Sequence, residues 1–234
     1  MNSHNDVLRK RLDKIWERAN FALFFQDIIH LPAKGMKKGA ILFNEGDKLD
    51  KLYYIKEGYV KLYRLSKEGK ESTIYLFGPG HILGIRALFA KDEKAKHTAQ
   101  ALTDLNAITI SRKNFFDEIT KYPEFLVDFM HLILNRLDYT ERKLEGFVTT
   151  DATNRVANFL FDCALRFGEK KNGKVKLPLK LTHQQIAEFV GSFRETVTVA
   201  LKRLEKVGII KIEKGEITIT DPIKLKPKTY DHQF

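Results

Sequence analysis

A stretch near the C-terminus carries side chains that can read the edges of base pairs. Arg194 and Glu195 stand next to each other shortly after Gly191. An arginine guanidinium can donate two hydrogen bonds to guanine, and a glutamate carboxylate can accept one from the amino group of cytosine. The same stretch offers further candidate contacts to DNA: Thr182, Ser192, Thr198, Val199, Lys202 and Arg203.

Two short helices are predicted to position these side chains. Thr182 and Gln185 fit a capping box that starts one helix, and Ser192 and Glu195 fit a second box that starts the next. Gly191 lies between them and supplies a tight turn. This order predicts a helix-turn-helix, whose second helix places its N-terminal residues in the major groove of DNA.

The segments around these two helices complete the prediction. Residues 152–167 have the periodicity of a helix, and residues 170–174 are interpreted as a polar linker. Residues 209–213 and 216–220 flank Lys214 and Gly215 and predict a β-hairpin wing. The alternative is a small helical bundle with a solvated basic face, in which Glu195 only caps its helix.

The charge of the chain agrees with a polyanionic partner. There are 41 Lys and Arg against 30 Asp and Glu, a formal net charge of +11. Basic side chains release counterions from a phosphate backbone when they bind it. Charge alone is equally compatible with an ordinary basic protein, so the position of the charges has to decide.

The N-terminal half has a different pattern of apolar residues and glycines. A helical repeat covers the first thirty residues, and from residue 34 to 111 short β-branched and aromatic runs alternate with glycine turns. Many short strands predict a sandwich, jelly roll or barrel. No βαβ alternation is present, which argues against a parallel nucleotide-binding fold.

A regular apolar repeat follows Pro123. Its members are spaced alternately by four and three residues: Leu126, Met130, Ile133, Leu137, Thr140, Leu144 and Phe147. This period is typical of a coiled-coil seam and favours a second copy of the same helix as the partner. We therefore predict a homodimer with an interface at Leu126, Met130, Ile133, Leu137 and Leu144; packing on the chain's own β-domain is the alternative.

The sequence resembles the CRP/FNR family over about residues 34–222. Residues 193–197, Phe-Arg-Glu-Thr-Val, are similar to the start of that family's second helix. Residues 54–63 resemble the β-roll of cyclic-nucleotide-binding domains, and residues 77–80 with 83–84 match the turn before the family's ligand loop. The resemblance implies an α+β protein with an antiparallel β-roll (jelly roll), a long dimerisation helix and a winged helix-turn-helix.

From the resemblance we expect a sensor β-roll with N-terminal helices over residues 1–122, a dimerisation helix over 123–149 and a DNA-binding domain over 150–234. It also implies a homodimer on a two-fold DNA site and RNA polymerase as a partner. One departure lies in the reading helix, where Val199 replaces an arginine found in many members. A valine can contact a thymine methyl, so the outer base preference should differ.

The second departure concerns cAMP. In members that bind it, a glutamate follows the glycine equivalent to Gly84, and an Arg-Ser pair holds the phosphate about ten residues later. Here Ile85 follows, and residues 94–97 read Lys-Ala-Lys-His. Each lost charge-assisted contact is worth about 1.5–3 kcal/mol, so we predict no physiological response to cAMP.

Another effector remains an open alternative to a regulator that is active as made. Lys96 and His97 would suit an anion, whereas neighbouring apolar residues would suit an aromatic or apolar ligand. The candidate pocket residues are Leu76, Leu83, Gly84, Ile85, Arg86, Lys96, His97, Leu137 and Thr140.

Other classes of protein receive little support. The single cysteine, Cys163, excludes an intramolecular disulfide or a cysteine-bound cluster, and the resemblance offers no haem ligands, so no metal or cofactor is predicted. A cupin-like metalloenzyme would need more histidines than His81 and His97 between residues 31 and 130. A stand-alone small-molecule-binding β-roll would not need the C-terminal helices. No membrane span or secretory signal is apparent, and we expect a bacterial-type cytoplasmic protein.

Overall fold

The computed structural model describes residues 31–121 and 124–225. The helical repeat predicted for the first thirty residues lies outside this part of the chain. Within it, an antiparallel β-domain is followed by one long helix and then by a smaller domain of helices and short strands. This order confirms the predicted α+β class.

Two four-stranded sheets make up the β-domain. Their strand orders are β1-β8-β3-β6 and β2-β7-β4-β5, so most neighbouring strands are not consecutive in sequence, as in a jelly roll. The pairings β1–β8, β3–β8, β3–β6 and β2–β7 are antiparallel. The strands are β1 Ala33–Met36, β2 Ile41–Phe43, β3 Lys51–Glu57, β4 Val60–Leu65, β5 Glu71–Phe77, β6 Ile82–Leu83, β7 Thr98–Ala101 and β8 Leu105–Ser111.

Two short helices and one glycine shape the segment that corresponds to the ligand loop of the CRP/FNR family. Helix α1 (Ile85–Phe89) follows β6, and α2 (Arg112–Ile119) follows β8. Gly84 joins β6 to α1 with φ +89°, and a Cβ there would lie 2.8 Å from the carbonyl oxygen of Lys51. Only glycine fits this position without strain.

The core of the β-domain is apolar and aromatic. Alternate residues of β3 and β8 face inward, where they meet both short helices and the beginning of the long helix. The cluster comprises Leu52, Tyr54, Ile82, Ile85, Leu88, Ile108, Ile110, Phe115, Ile119 and Phe129.

The long helix α3 runs over Glu124–Thr149. Phe129 is buried on one side of it, while the predicted seam residues Leu126, Met130 and Leu137 are exposed. Near its C-terminal end, the ammonium group of Lys143 donates hydrogen bonds to the carbonyl oxygens of Thr73 (2.8 Å) and Ile74 (3.3 Å) on β5.

A winged helix-turn-helix follows. It contains α4 (Ala152–Phe167), α5 (His183–Val190), α6 (Arg194–Lys206) and α7 (Pro222–Leu225). A sheet of order β11-β12-β10-β9 packs beside them, with β9 Glu169–Lys171, β10 Lys174–Lys176, β11 Ile210–Glu213 and β12 Glu216–Ile219. The predicted helix at 152–167 and the wing at Lys214 and Gly215 are both present.

The linker predicted over residues 170–174 is wrong. These residues belong to a β-hairpin that extends the sheet of the wing, with Lys174 paired to Lys171. Asn172 and Gly173 both adopt positive φ, +50° and +72°. This is the geometry of a two-residue turn in which Asn-Gly is the preferred sequence.

The described chain divides into two compact units. One runs as far as Leu62 and resumes over Leu76–Glu141; the other comprises Tyr63–Tyr75 and the chain from Arg142 onward. This division differs from the boundaries expected at residues 122 and 149, because it groups the β4–β5 turn and the last part of α3 with the winged helix. The functional domain boundaries stay a prediction.

Candidate nucleic-acid interface

The first helix of the pair starts as the sequence predicts. Thr182 is the N-cap of α5, and its hydroxyl accepts a hydrogen bond from the backbone N–H of Gln185 at 3.1 Å. The Gln185 side chain accepts one in return from the backbone N–H of Thr182 at 2.9 Å. The helix ends at Gly191, which adopts the left-handed conformation with φ 60°.

The second predicted capping box is wrong. Helix α6 has Phe193 as its N-cap, with no side-chain hydrogen bond at that position. The backbone N–H of Ser192 is still bonded to the carbonyl of Ala187, so Ser192 belongs to the turn that closes α5. The first helical hydrogen bond of α6 runs from Val197 to Phe193, one residue later than the sequence pattern indicates.

Packing leaves one side of α6 available to a partner. Its inner side is buried and consists of Val197, Ala200, Leu201 and Leu204. The remaining candidate contacts Arg194, Glu195, Val199, Lys202 and Arg203 are exposed. An exposed helix face with these donors, acceptors and charges can enter the major groove.

The hydroxyl of Thr198, like that of Thr182, already has partners within the domain. The hydroxyl donates to the carbonyl of Arg194 at 2.9 Å and lies 2.8 Å from Nδ1 of His183 on α5. Either the hydroxyl or a protonated ring nitrogen can donate in the contact with His183, because the direction of this bond depends on the imidazole tautomer. His183, which sequence reasoning did not select, therefore links α5 to α6.

The tentative effector residues lie in different environments. Leu76, Leu83 and Ile85 are almost fully buried in the β-domain. Among the charged candidates, Arg86 is exposed and Lys96 forms an ion pair with Asp92. The hydrogen bond from Lys96 lowers the pKa of the Asp92 carboxyl, so this pair is formed at neutral pH.

The remaining pocket candidates include two residues on α3. Leu137 and Thr140 are exposed, and the Thr140 hydroxyl donates to the carbonyl of Arg136 at 2.8 Å. Arg136, which the sequence reasoning missed, donates through Nη2 to the carbonyl of Ile82. Its guanidinium carbon lies 4.8 Å from the centroid of the Phe77 ring, a cation–π contact.

Three features of the described chain bear on other kinds of site. Cys163 is buried, and burial raises the pKa of its thiol, which disfavours the reactive thiolate. Over residues 31–121 and 124–225, no three His, Cys, Asp or Glu side chains are grouped closely enough to hold a metal ion. None of the helices in that part of the chain has the length and apolarity to span a bilayer.

Comparison with known proteins agrees with this geometry. The family described as cyclic nucleotide-binding domain matches residues 34–122, and the Crp-like helix-turn-helix domain matches residues 154–227. A CRP-like cAMP-activated global transcriptional regulator of Mycobacterium tuberculosis is 31% identical over 188 residues, covering 80% of this chain and 84% of that protein. A global nitrogen regulator of Synechocystis is 28% identical over 185 residues, covering 79% and 82%.

Solved structures give the same picture. A CRP/FNR-family transcriptional regulator of Thermus thermophilus is 30% identical and superimposes with a TM-score of 0.66, covering 82% of this chain and 95% of that one. A CooA mutant of Carboxydothermus hydrogenoformans is 25% identical with a TM-score of 0.71, covering 88% and 94%. With both halves of the chain matched and in the same order, the protein belongs to the CRP/FNR family of transcriptional regulators.

Proposed function

We propose that this regulator is a homodimer that recognises a two-fold DNA site and does not respond to cAMP. The observation that carries the proposal is a pair of exposed surfaces: an apolar seam along α3 and the basic and polar face of α6. The apolar seam of α3 would join two copies of the chain. The dimer would then present two copies of α6 to the DNA.

The seam is strongly exposed in the single chain. The exposed fractions are 49% for Leu126, 59% for Met130, 37% for Ile133, 51% for Leu137 and 65% for Leu144. Their spacing by four and three residues suits the a and d positions of a coiled coil. Burying them against the same residues of a second chain would remove this apolar surface from water, and each buried methylene would contribute about 0.8 kcal/mol.

The residues of the helix pair divide by chemistry into two proposed roles. Arg194 and Glu195, exposed at the start of α6, would read a guanine and a cytosine in each half-site. Val199 would contact a thymine methyl farther along. Thr182, Ser192, Thr198, Lys202 and Arg203 would mainly bind phosphates and fix the orientation of the reading helix; for Thr198, the contact with His183 limits its hydroxyl to this supporting part.

The β-domain supports cAMP independence. Ile85, at the position where cAMP-binding members have glutamate, is buried with 2% exposure and offers no acceptor for a ribose hydroxyl. Lys96 is already paired with Asp92, so an anion would have to compete with that carboxylate. We infer that the sensor domain either binds a different effector or keeps the protein active without one.

RNA polymerase is the proposed second partner. The protein would act in the cytoplasm, because its DNA target lies there. Activation or repression would then depend on where the operator lies relative to a promoter.

Selection of duplexes from a random pool, at near-physiological salt and without ligand, tests the proposal. We expect recovery of a two-fold sequence with half-sites about 10 base pairs apart. Anisotropy measurements on that duplex, with and without cAMP, should give the same affinity. Recovery of only non-specific DNA with and without cAMP would contradict sequence-specific reading by a protein that is active without an effector, and a ten-fold gain on adding cAMP would contradict cAMP independence.

A further inference from the structure

The reading helix begins with an exposed phenylalanine. Phe193 is the N-cap of α6, has 70% of its surface exposed and makes no side-chain capping bond. Serine, threonine, aspartate and asparagine are preferred at this position because their oxygen atoms accept a hydrogen bond from the first turn. The chain therefore has an aromatic ring in water where a small polar side chain would stabilise the helix.

The surroundings of Phe193 place it among the proposed base-reading residues. Arg194 and Glu195 follow it directly and are exposed. On one side, the ammonium group of Lys70 lies 5.4 Å from the centroid of the ring. This cation–π contact lies on one face of the ring, and most of the residue remains exposed.

The chemistry of the ring restricts what it can recognise. A phenyl group has no hydrogen-bond donor or acceptor, so it cannot distinguish bases by their polar edges. The apolar mark in the major groove is the C5-methyl group of thymine, which phenylalanine is able to contact. The N-terminal end of a reading helix is the part that approaches base edges.

We propose that Phe193 is a specificity-determining residue that contacts the methyl group of one thymine in each half-site. The inference rests on the proposed function, because it needs a sequence-specific DNA target. Val199 lies on the outer face farther along α6 and would contact a different base pair, so each residue should have its own signature.

Replacing thymine by uracil tests this contact, because uracil pairs identically and lacks only the methyl group. The probe is the duplex recovered by selection with the natural protein, altered at one symmetric pair of thymines at a time. For the natural protein, uracil at the pair contacted by Phe193 should weaken binding about four-fold per half-site. This is the amount expected for burying one methyl group. The variant Phe193→Leu should still lose affinity when uracil replaces thymine at that pair, because leucine is also apolar.

Phe193→Ser should bind the altered and unaltered duplexes equally at that one pair and keep its sensitivity elsewhere. Val207→Ser is the matched control: Val207 is 58% exposed at the opposite end of the same helix, so its uracil profile should equal that of the natural protein. A purely structural role for Phe193 would shift the thermal midpoint without changing the response to one base. Serine is a favoured cap, so Phe193→Ser should fold; Phe193→Asn repeats the test with another favoured cap.

Two results would overturn the inference while leaving the proposed function intact. One is an identical uracil profile for Phe193→Ser and the natural protein, which would make Phe193 only a packing partner of Lys70. The other is loss of binding to every duplex by both capped variants with their unfolding temperatures unchanged, which would indicate a role independent of any single base. Failure of the natural protein to select a duplex would instead contradict sequence-specific reading without an effector, and the inference would fall with it.

Discussion

Lys143 offers a quantitative test of the structure through the pH dependence of stability. Its ammonium group is largely buried between α3 and β5, where it donates to the carbonyls of Thr73 and Ile74. Burial lowers its pKa from 10.5 to about 8, and the negative charge of Asp162 opposes this shift only in part. The folded protein therefore holds the proton of Lys143 less tightly than the unfolded chain does.

The sign of the effect follows from this difference. Between about pH 8 and 10.5 the unfolded chain binds more protons at this lysine, so raising the pH favours the folded state. A difference of about 2.5 pH units corresponds to roughly 3 kcal/mol, of which about 2.5 kcal/mol is gained between pH 7 and pH 10. At neutral pH the buried charge is a cost that the fold carries.

The variant Lys143→Met removes the ionisation while keeping much of the side-chain volume. The free energy of unfolding is measured by urea denaturation, monitored by circular dichroism at fixed protein concentration. Between pH 7 and pH 10 we expect it to rise by about 2.5 kcal/mol more for the natural protein than for the variant. Lys206→Met, at an exposed lysine, controls for the loss of one positive charge. A constant difference between natural protein and Lys143→Met across that range would refute the burial of Lys143.

Three further substitutions test the proposed interfaces. Arg194→Ala should cost about 1–3 kcal/mol on the selected duplex and relax the preference at one base pair; equal losses on selected and random duplexes would contradict base reading. Lys202→Ala should weaken binding to all duplexes and reduce the slope of log affinity against log salt by about one, whereas an unchanged slope would exclude a phosphate contact. Leu137→Asp should halve the solution mass measured by light scattering if the seam joins two chains, and an unchanged mass would count against that interface.

Local sequence signals predicted the parts of the site in which neighbours along the chain determine the geometry. The capping box of Thr182 and Gln185 and the wing turn at Lys214 and Gly215 are both present. The exposed side of α6 also follows from its periodicity. In each case, the residues that make the structure lie within a few positions of one another.

Two local signals were misleading for identifiable reasons. Ser192 and Glu195 have the spacing of a capping box, but the turn at Gly191 uses the backbone of Ser192 and moves the cap to Phe193. Asn172 and Gly173 carry the strongest short-range signal for a hairpin. The signal was missed because the flanking strands β9 and β10 are short, rich in lysine and too polar to show an apolar alternation.

Contacts between distant segments were beyond sequence reasoning. His183 meets Thr198 across the helix pair, and Arg136 reaches a carbonyl of β6. Nothing in the spacing of these residues distinguishes them from ordinary surface cations and polar groups. Their partners are set by the packing of whole elements, which a single sequence does not reveal.

The division of α6 into a buried and an exposed side has a consequence for how regulators of this kind diverge. Val197, Ala200, Leu201 and Leu204 hold the helix in the domain, and the outward residues contribute little to that packing. Substitutions on the outward side should therefore change the preferred operator while leaving stability within about 0.5 kcal/mol. A lineage can explore new binding sites one substitution at a time without passing through unfolded intermediates, so target genes can be rewired faster than the fold changes.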